Sequence, residues 1–104
     1  MKSYSVYITV KDKKDALKIG AELVSSRLAA CANIINNVES VYRWNGKIQS
    51  AQEVILIVKT KESAIEKLIE KVKSLHSDEC PCIVVWPIVD GNVEYLKWIE
   101  KEVK

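Results

Sequence analysis

The side chains best suited to chemistry lie in residues 76–83, which read His-Ser-Asp-Glu-Cys-Pro-Cys-Ile. This segment holds the one histidine of the chain and two of its three cysteines. If the backbone is extended there, the side chains of Cys80 and Cys82 point to one face, about 6.6 Å apart along the chain. Imidazole and thiolate groups favour soft or borderline metals. The spacing therefore predicts a soft-metal site made by His76, Cys80 and Cys82, with Glu79 as orienting residue or outer ligand.

A structural interpretation of the same residues stays open. A histidine in the last turn of a helix can bond the final carbonyl groups and favours the negative end of the helix dipole. Free cysteine is among the most buried residue types. Cys31, which follows a predicted helix and opens a strand, is therefore either a packing residue or a further metal ligand.

Four strands and three helices are predicted around this segment. Alternation and β-branched residues favour strands at residues 3–10, 31–42, 48–60 and 83–89. Helices are predicted to begin after the capping residues Asp12, Thr60 and Asn92, and Asn45-Gly46 is a strong hairpin signal. The order β-α-β-β-α-β with a terminal helix predicts an α+β, ferredoxin-like sandwich with an extended central hairpin. Right-handed crossovers would place the two main helices on one face of the sheet and leave the other bare.

Composition limits the function classes. At 104 residues the chain is a single domain spanning 1–104, with 48% apolar and 29% charged residues. The net charge of +2 comes from interleaved lysines and acids, so a nucleic-acid partner is not expected. No apolar run approaches the roughly 20 residues of a membrane span. The odd cysteine count without a secretory signal predicts free thiols in the cytoplasm.

Catalytic signatures are scarce. The chain has no phosphate loop, no Rossmann glycine pattern and no plausible Ser-His-Asp set. A dyad between Cys31 and His76 is the remaining catalytic alternative. We therefore expect a protein that is not an enzyme.

Several motifs follow one another along the chain. Residues 27–34 read Arg-Leu-Ala-Ala-Cys-Ala-Asn-Ile, residues 42–47 read Tyr-Arg-Trp-Asn-Gly-Lys, and residues 95–99 read Tyr-Leu-Lys-Trp-Ile. Between them lie Glu53, Lys59-Thr60, His76, Glu79, Pro81, Pro87 and Gly91. Taken together they resemble the CutA divalent-ion tolerance proteins over nearly the whole length. The resemblance implies a homotrimer with long hairpins reaching onto neighbours, associated with copper or, alternatively, another divalent cation such as zinc.

The chain departs from that family in residues 76–83, the segment with the histidine and two of the cysteines. The family usually reads His-Pro-Tyr-Glu-Val-Pro-Glu-Ile where this chain has Ser77, Asp78, Cys80 and Cys82 in place of four residues. Members with ascribed copper sites can carry a cysteine and a second histidine at the positions of Val10 and Leu75. Neither of these side chains can ligate. The two new thiols either replace the lost ligands or mark a lost site.

Four further residues are predicted at a subunit interface or cleft. Tyr42 and Trp44 flank the hairpin tip, where aromatic side chains bury much area and keep a polar handle; stacking on a ligand is the alternative. Glu53 and Lys59 lie in an apolar strand and are predicted to form a buried ion pair between chains, with an ion site as the alternative.

The expected function is that of a trimeric, non-catalytic, metal-associated protein involved in tolerance or response to copper and other divalent cations. Two alternatives stay open. One is a PII-like module that senses a small molecule, and the other is a structural anchoring partner of another protein.

Overall fold

The chain forms four strands and three helices, and the computed structural model describes residues 2–104. They are β1 (Ser3–Val10), α1 (Lys13–Ser25), β2 (Cys31–Trp44), β3 (Lys47–Lys61), α2 (Ile65–Leu75), β4 (Ile83–Pro87) and α3 (Val93–Glu102), with a short 3-10 turn at Glu62–Ala64.

The four strands form one sheet in the order β2-β3-β1-β4, and every neighbouring pair is antiparallel. Val6 of β1 pairs with Val58 of β3 on one side and with Val85 of β4 on the other. The predicted α+β class is thereby confirmed. The described helices include none long and apolar enough to cross a membrane.

The core lies on one face of the sheet. Alternate residues of the strands are buried there against two helices, because side chains at i and i+2 share a face. Its main members are Val6, Ile8 and Val10 of β1, Val54, Leu56 and Val58 of β3, Ala16, Ile19 and Leu23 of α1, and Leu68 and Val72 of α2. Gly20 lets α1 approach β2 closely, since a Cβ there would lie 3.0 Å from the Cβ of Ala32. Residues on the opposite face, here called the open face, are half-buried or exposed, among them Tyr7, Ile57 and Trp86.

Two of the three predicted helix caps are confirmed. The side chain of Asp12 accepts the amide of Asp15 at 2.8 Å, and that of Asn92 accepts the amide of Glu94 at 3.1 Å. The cap predicted at Thr60 is wrong. Thr60 is buried in β3, where its hydroxyl donates to the carbonyl of Leu28 at 2.7 Å. Pairing of β3 with β1 extends the strand past this residue, so α2 begins only after the 3-10 turn.

The β2-β3 hairpin is longer than the rest of the sheet. Its outer part, residues 38–53, extends beyond the region where β1 pairs with β3 and is here called the arm. Asn45 and Gly46 at its tip have φ values of 51° and 76°, as a two-residue turn of type I′ requires. The arm gives the chain a length of 44 Å and a radius of gyration of 14.1 Å, above the roughly 13 Å of a 100-residue domain.

A side chain in the turn between α1 and β2 holds the end of the chain. Arg27, at a φ of 62°, donates from Nε and Nη2 to the carbonyls of Glu102 and Lys101, both at 3.0 Å. Its own carbonyl accepts the amide of Lys104 at 2.9 Å. The guanidinium thus satisfies carbonyl groups that the end of α3 leaves without helical partners.

Candidate functional site

A groove of about 480 Å³ lies on the open face, between the arm and the loop of residues 77–82. The loop contributes Asp78, Glu79, Cys80 and Cys82 to its wall. Tyr7 and Thr9 of β1 form part of the lining as well. The groove therefore collects most of the side chains that the sequence singles out.

The loop follows His76, whose ring is fixed by the main chain on both sides. The amide of Asp78 donates to Nδ1 at 3.0 Å, so Nδ1 carries no proton. Nε2 then holds the proton and donates to the carbonyl of Thr9 at 2.7 Å. While these two bonds persist, His76 has no free ring nitrogen to offer a metal. Its position ties the end of α2 to β1 and sets where the loop starts.

The two thiols of the loop are available for chemistry. Cys80 and Cys82 are both free and exposed, and both line the groove. Pro81 between them limits the backbone of the pair, because its ring fixes φ. The amide of Thr9 donates to the carbonyl of Cys82 at 3.4 Å. Thr9 thus contacts both ends of the loop through its main chain.

Cys31 lies elsewhere on the open face. Its Sγ is 3.3 Å from the hydroxyl of Tyr95, and it does not line the groove. The hydrogen bond to Cys31, with burial and the charge of the thiolate as further causes, raises the pKa of Tyr95 to about 12. The structure therefore gives Cys31 a partner from α3 instead of a place beside the loop thiols.

The five predicted metal ligands do not gather at one point. Within residues 2–104, no group of three or more His, Cys, Asp or Glu side chains is arranged to hold a metal ion. Glu79, Cys80 and Cys82 line the groove, whereas His76 is engaged with the main chain and Cys31 with Tyr95. One chain thus brings two soft donors together, and the metal role of these residues stays a prediction.

The arm supplies the other wall of the groove. Tyr42 and Trp44 line it and are 45% and 46% exposed in the single chain. Glu53 also lines the groove. Lys59 donates from Nζ to Oδ1 of Asn33 at 3.2 Å. Because Glu53 and Lys59 are six residues apart on one strand, about 20 Å, they could pair only between chains.

Three lining residues escaped the sequence analysis. Tyr7 and Thr9 belong to β1, and Ser40 belongs to the arm. The alternation of β1 carried a usable signal, because burial of Val6 and Ile8 on one face places Tyr7 and Thr9 on the other. Nothing in the sequence indicated that the carbonyl of Thr9 would bond His76.

A second groove, of about 630 Å³, lies between the end of α1 and the start of α2 and is bordered by Lys67, Lys71 and Lys104. Lys71 is paired there with Glu22 at 3.3 Å. Its lining is that of an ordinary solvated surface, so we do not place the functional site there.

Fold and groove together define a small α+β protein with a groove on one face of its sheet, which has thiols on one wall and aromatic rings on the other. The chain belongs to the CutA1 divalent ion tolerance protein family, whose sequence profile matches residues 4–102. It is 47% identical over 96 residues to the divalent-cation tolerance protein CutA of Thermus thermophilus, covering 92% of this chain and 93% of that protein. A solved structure of a Thermus thermophilus divalent cation tolerance protein superposes with a TM-score of 0.96 at 44% identity, over 98% and 99% of the two chains.

Some relatives are named as chloroplastic or periplasmic proteins. The chain is 40% identical over 98% of its length to the chloroplastic protein CutA 1 of rice, and spans 58% of that protein. It spans 56% of the chloroplastic CutA of Arabidopsis thaliana, so it covers less than two thirds of these plant relatives. A periplasmic divalent cation tolerance protein CutA from Archaeoglobus fulgidus has a TM-score of 0.94 at 37% identity, over 98% and 99% of the two chains.

Proposed function

We propose that this chain acts as a non-catalytic homotrimer with a ferredoxin-like sandwich in each subunit, and that it binds copper as part of divalent-cation tolerance. The observation that carries the assembly is exposed apolar area on the open face and on the arm. Val41 and Ile48 of the arm are 74% and 71% exposed, and Trp86 on β4 is 47% exposed. Apolar area of this kind marks a surface for association.

Closed assembly also accounts for the strand edges. β2 and β4 are the outer strands of the sheet, and an outer strand presents unpaired main-chain groups that invite pairing with another chain. A cyclic trimer would pair or cover these edges without leaving an open end. Contact between subunits would further give Glu53 and Lys59 the opportunity to form the ion pair that one chain cannot make.

The absence of catalysis is supported by the state of His76. It is the one histidine of the chain, and main-chain groups occupy both of its ring nitrogens. Cys31 bonds Tyr95 instead of His76, which leaves the proposed dyad without its base. Metal association is supported by the two exposed thiols and the adjoining carboxylates of the groove. We propose a reducing compartment such as the cytoplasm, since the thiols must stay reduced to bind.

Light scattering after gel filtration tests the assembly. A trimer has three times the 11.8 kDa mass of one chain; a stable monomer at micromolar concentration would contradict the proposal. Equilibrium dialysis against Cu(II) and Zn(II), followed by elemental analysis, tests the metal. Binding of neither ion above a non-binding reference protein would remove the divalent-cation role.

A small-molecule sensor is the second candidate, favoured by the size of the groove. Its volume of about 480 Å³ falls within the range of ligand pockets, roughly 300–1,000 Å³. Thermal-shift measurements on metal-free protein with nucleotides and carboxylic acids separate the two functions. A ligand that raises the melting temperature without metal would favour sensing.

A further inference from the structure

We propose that Cys80 and Cys82 form a two-thiolate site for Cu(I) on the loop wall of the groove, with His76 as a positioning residue and not a ligand. The proposal rests on the metal association proposed above and narrows it to one ion class and one pair of atoms.

The first step is the placement of the thiols. Both are free, both are exposed, and both contribute to one groove wall. They are separated in the chain by Pro81 alone, whose fixed φ limits how far the pair can diverge. Two thiolates held on one short, constrained segment can therefore reach a single ion together.

The second step is the number of donors. Structural Zn(II) sites use four ligands in tetrahedral geometry, and no group of even three His, Cys, Asp or Glu side chains is arranged for this in residues 2–104. Thiolates bind both Cu(I) and zinc, but Cu(I) is stable with as few as two of them. The donor count of one chain thus favours Cu(I) over Zn(II).

The third step is preorganisation by Thr9. Its carbonyl accepts from Nε2 of His76 at 2.7 Å, and its amide donates to the carbonyl of Cys82 at 3.4 Å. One residue of β1 therefore fastens the loop on both sides of the thiols. A site held by such supporting bonds loses less conformational freedom when it binds.

The binding reaction balances without electron transfer. Each thiol loses its proton, the two sulfur atoms each form one bond to Cu(I), and two protons are released to the buffer. The copper enters and stays as Cu(I), supplied in reduced form under anaerobic conditions. Because ligands must be deprotonated, affinity is expected to fall at acid pH.

The test is an anaerobic titration with Cu(I), buffered by a chromogenic chelator, on the purified full chain. The variants are Cys80→Ser, Cys82→Ser, the double variant, and Cys31→Ser as the matched control. We expect one Cu(I) per wild-type chain, and in either single loop variant a loss larger than the roughly 100-fold typical of outer-shell changes. Cys31→Ser should bind like the wild type. Unchanged affinity in the double variant, or an equal loss in Cys31→Ser, would overturn the site.

His76→Gln separates positioning from ligation. It should lower Cu(I) affinity by about 10- to 100-fold, as loss of a supporting residue does, while leaving the stoichiometry at one ion per chain. Loss of Cu(I) binding in His76→Gln, with folding intact by circular dichroism, would make the histidine a ligand and overturn its assigned role.

Fluorescence and mass give two independent checks. Trp44 lines the groove, and the ring of Trp86 packs on the groove residue Tyr7 at 5.2 Å, so bound Cu(I) should quench the emission of both. Trp44→Phe and Trp86→Phe should each reduce the response. A response unchanged in both variants would place the ion elsewhere. The double thiol variant is also examined by light scattering and by Cu(II) and Zn(II) dialysis. Results like those of the wild type there would leave the proposed function standing whether or not the Cu(I) site holds.

Discussion

The ring of His76 donates from Nε2 to the main-chain oxygen of Thr9 at 2.7 Å, across 67 residues of sequence. This bond joins the end of α2 to the end of strand β1, just before the chain enters α1. On the other side of the ring, Nδ1 of His76 accepts the amide of Asp78 at 3.0 Å. The imidazole is therefore a connection between two elements and the loop of the groove.

Replacement of His76 by alanine is expected to lower the free energy of unfolding by about 1–3 kcal/mol, because a partly buried acceptor and a loop amide lose their partner. The loosened loop should also make Cys80 and Cys82 react faster with an aromatic disulfide reagent. Urea denaturation at fixed protein concentration measures the first effect, and stopped-flow absorbance the second. Lys73→Ala, on the exposed side of α2, is the control. If His76→Ala has the same stability and thiol reactivity as Lys73→Ala, the hydrogen bonds of His76 do not hold the loop in place.

Trp44→Ala is expected to weaken the proposed trimer. Trp44 is 46% exposed in the single chain, so a neighbouring subunit could bury it further. Truncating a large aromatic side chain in a buried contact costs roughly 3–5 kcal/mol. Dissociation on dilution, followed by light scattering, and the melting temperature report the loss. Trp44→Phe keeps an aromatic ring and should lose much less. If the alanine variant assembles and melts like the wild type, Trp44 does not contact a neighbouring subunit.

Substitution of Gly46 and of Gly91 by alanine is expected to have opposite effects on stability. Gly46 has a φ of 76°, and a Cβ added there would meet no atom within 4 Å, so Gly46→Ala should cost about 1–2 kcal/mol through backbone strain alone. Gly91 lacks a positive φ, and an added Cβ would meet Leu96 at an ordinary 3.7 Å. Gly91→Ala should therefore be neutral or stabilising by up to about 1 kcal/mol. Urea midpoints for the two variants check the order, and the reverse order would contradict the turn geometry.

Arg27→Ala should loosen the end of α3. The variant loses two bonds from a charged donor to the carbonyls of Glu102 and Lys101. Arg27→Gly loses the same bonds but relieves the backbone at a φ of 62°, so it should be the more stable of the two by about 1 kcal/mol. Hydrogen exchange of the amides in residues 99–104 should be faster in both. Exchange at the wild-type rate would show that the guanidinium bonds do not hold the helix end.

Tyr95 should make stability depend on pH in the alkaline range. Its pKa is raised to about 12 in the folded chain, first by the hydrogen bond to Cys31, against about 10 in an unfolded chain. The folded state then holds the proton more tightly, so its contribution is complete below pH 10 and is lost as the pH rises from 10 to 12. Absorbance titration of the four tyrosines should show a late component. Both Tyr95→Phe and Cys31→Ala should remove it or move it to lower pH, and its persistence in both would contradict the assignment.

Much of the fold was predictable because it depends on local patterns. Alternation located the strands, the caps at Asp12 and Asn92 located two helices, and Asn45-Gly46 located the hairpin turn. The cap at Thr60 failed because its hydroxyl satisfies the carbonyl of Leu28 instead, a contact between residues distant in sequence. Local signals cannot distinguish a threonine that caps a helix from one that satisfies a core carbonyl.

The groove was predictable only in part. The sequence singled out Cys80 and Cys82 by their type and spacing. It singled out Tyr42 and Trp44 by their place beside the hairpin tip, and Glu53 as a charged residue in an apolar strand. It could not show that His76 turns both nitrogens toward main-chain groups, since those groups carry no residue-type signal. Nor could spacing reveal that Cys31 faces Tyr95, because that contact depends on how α3 packs across the sheet.

The length of the arm also bears on the order in which the chain gains structure. Pairs such as Tyr42 with Gln49 close a short loop through Asn45-Gly46, whereas Tyr4 must find Pro87 from the opposite end of the chain. Loop-closure entropy delays such distant pairing. We therefore expect the hairpin to form early and β4 to dock late, so the loop that carries the two thiols would take its final shape among the last parts of the molecule.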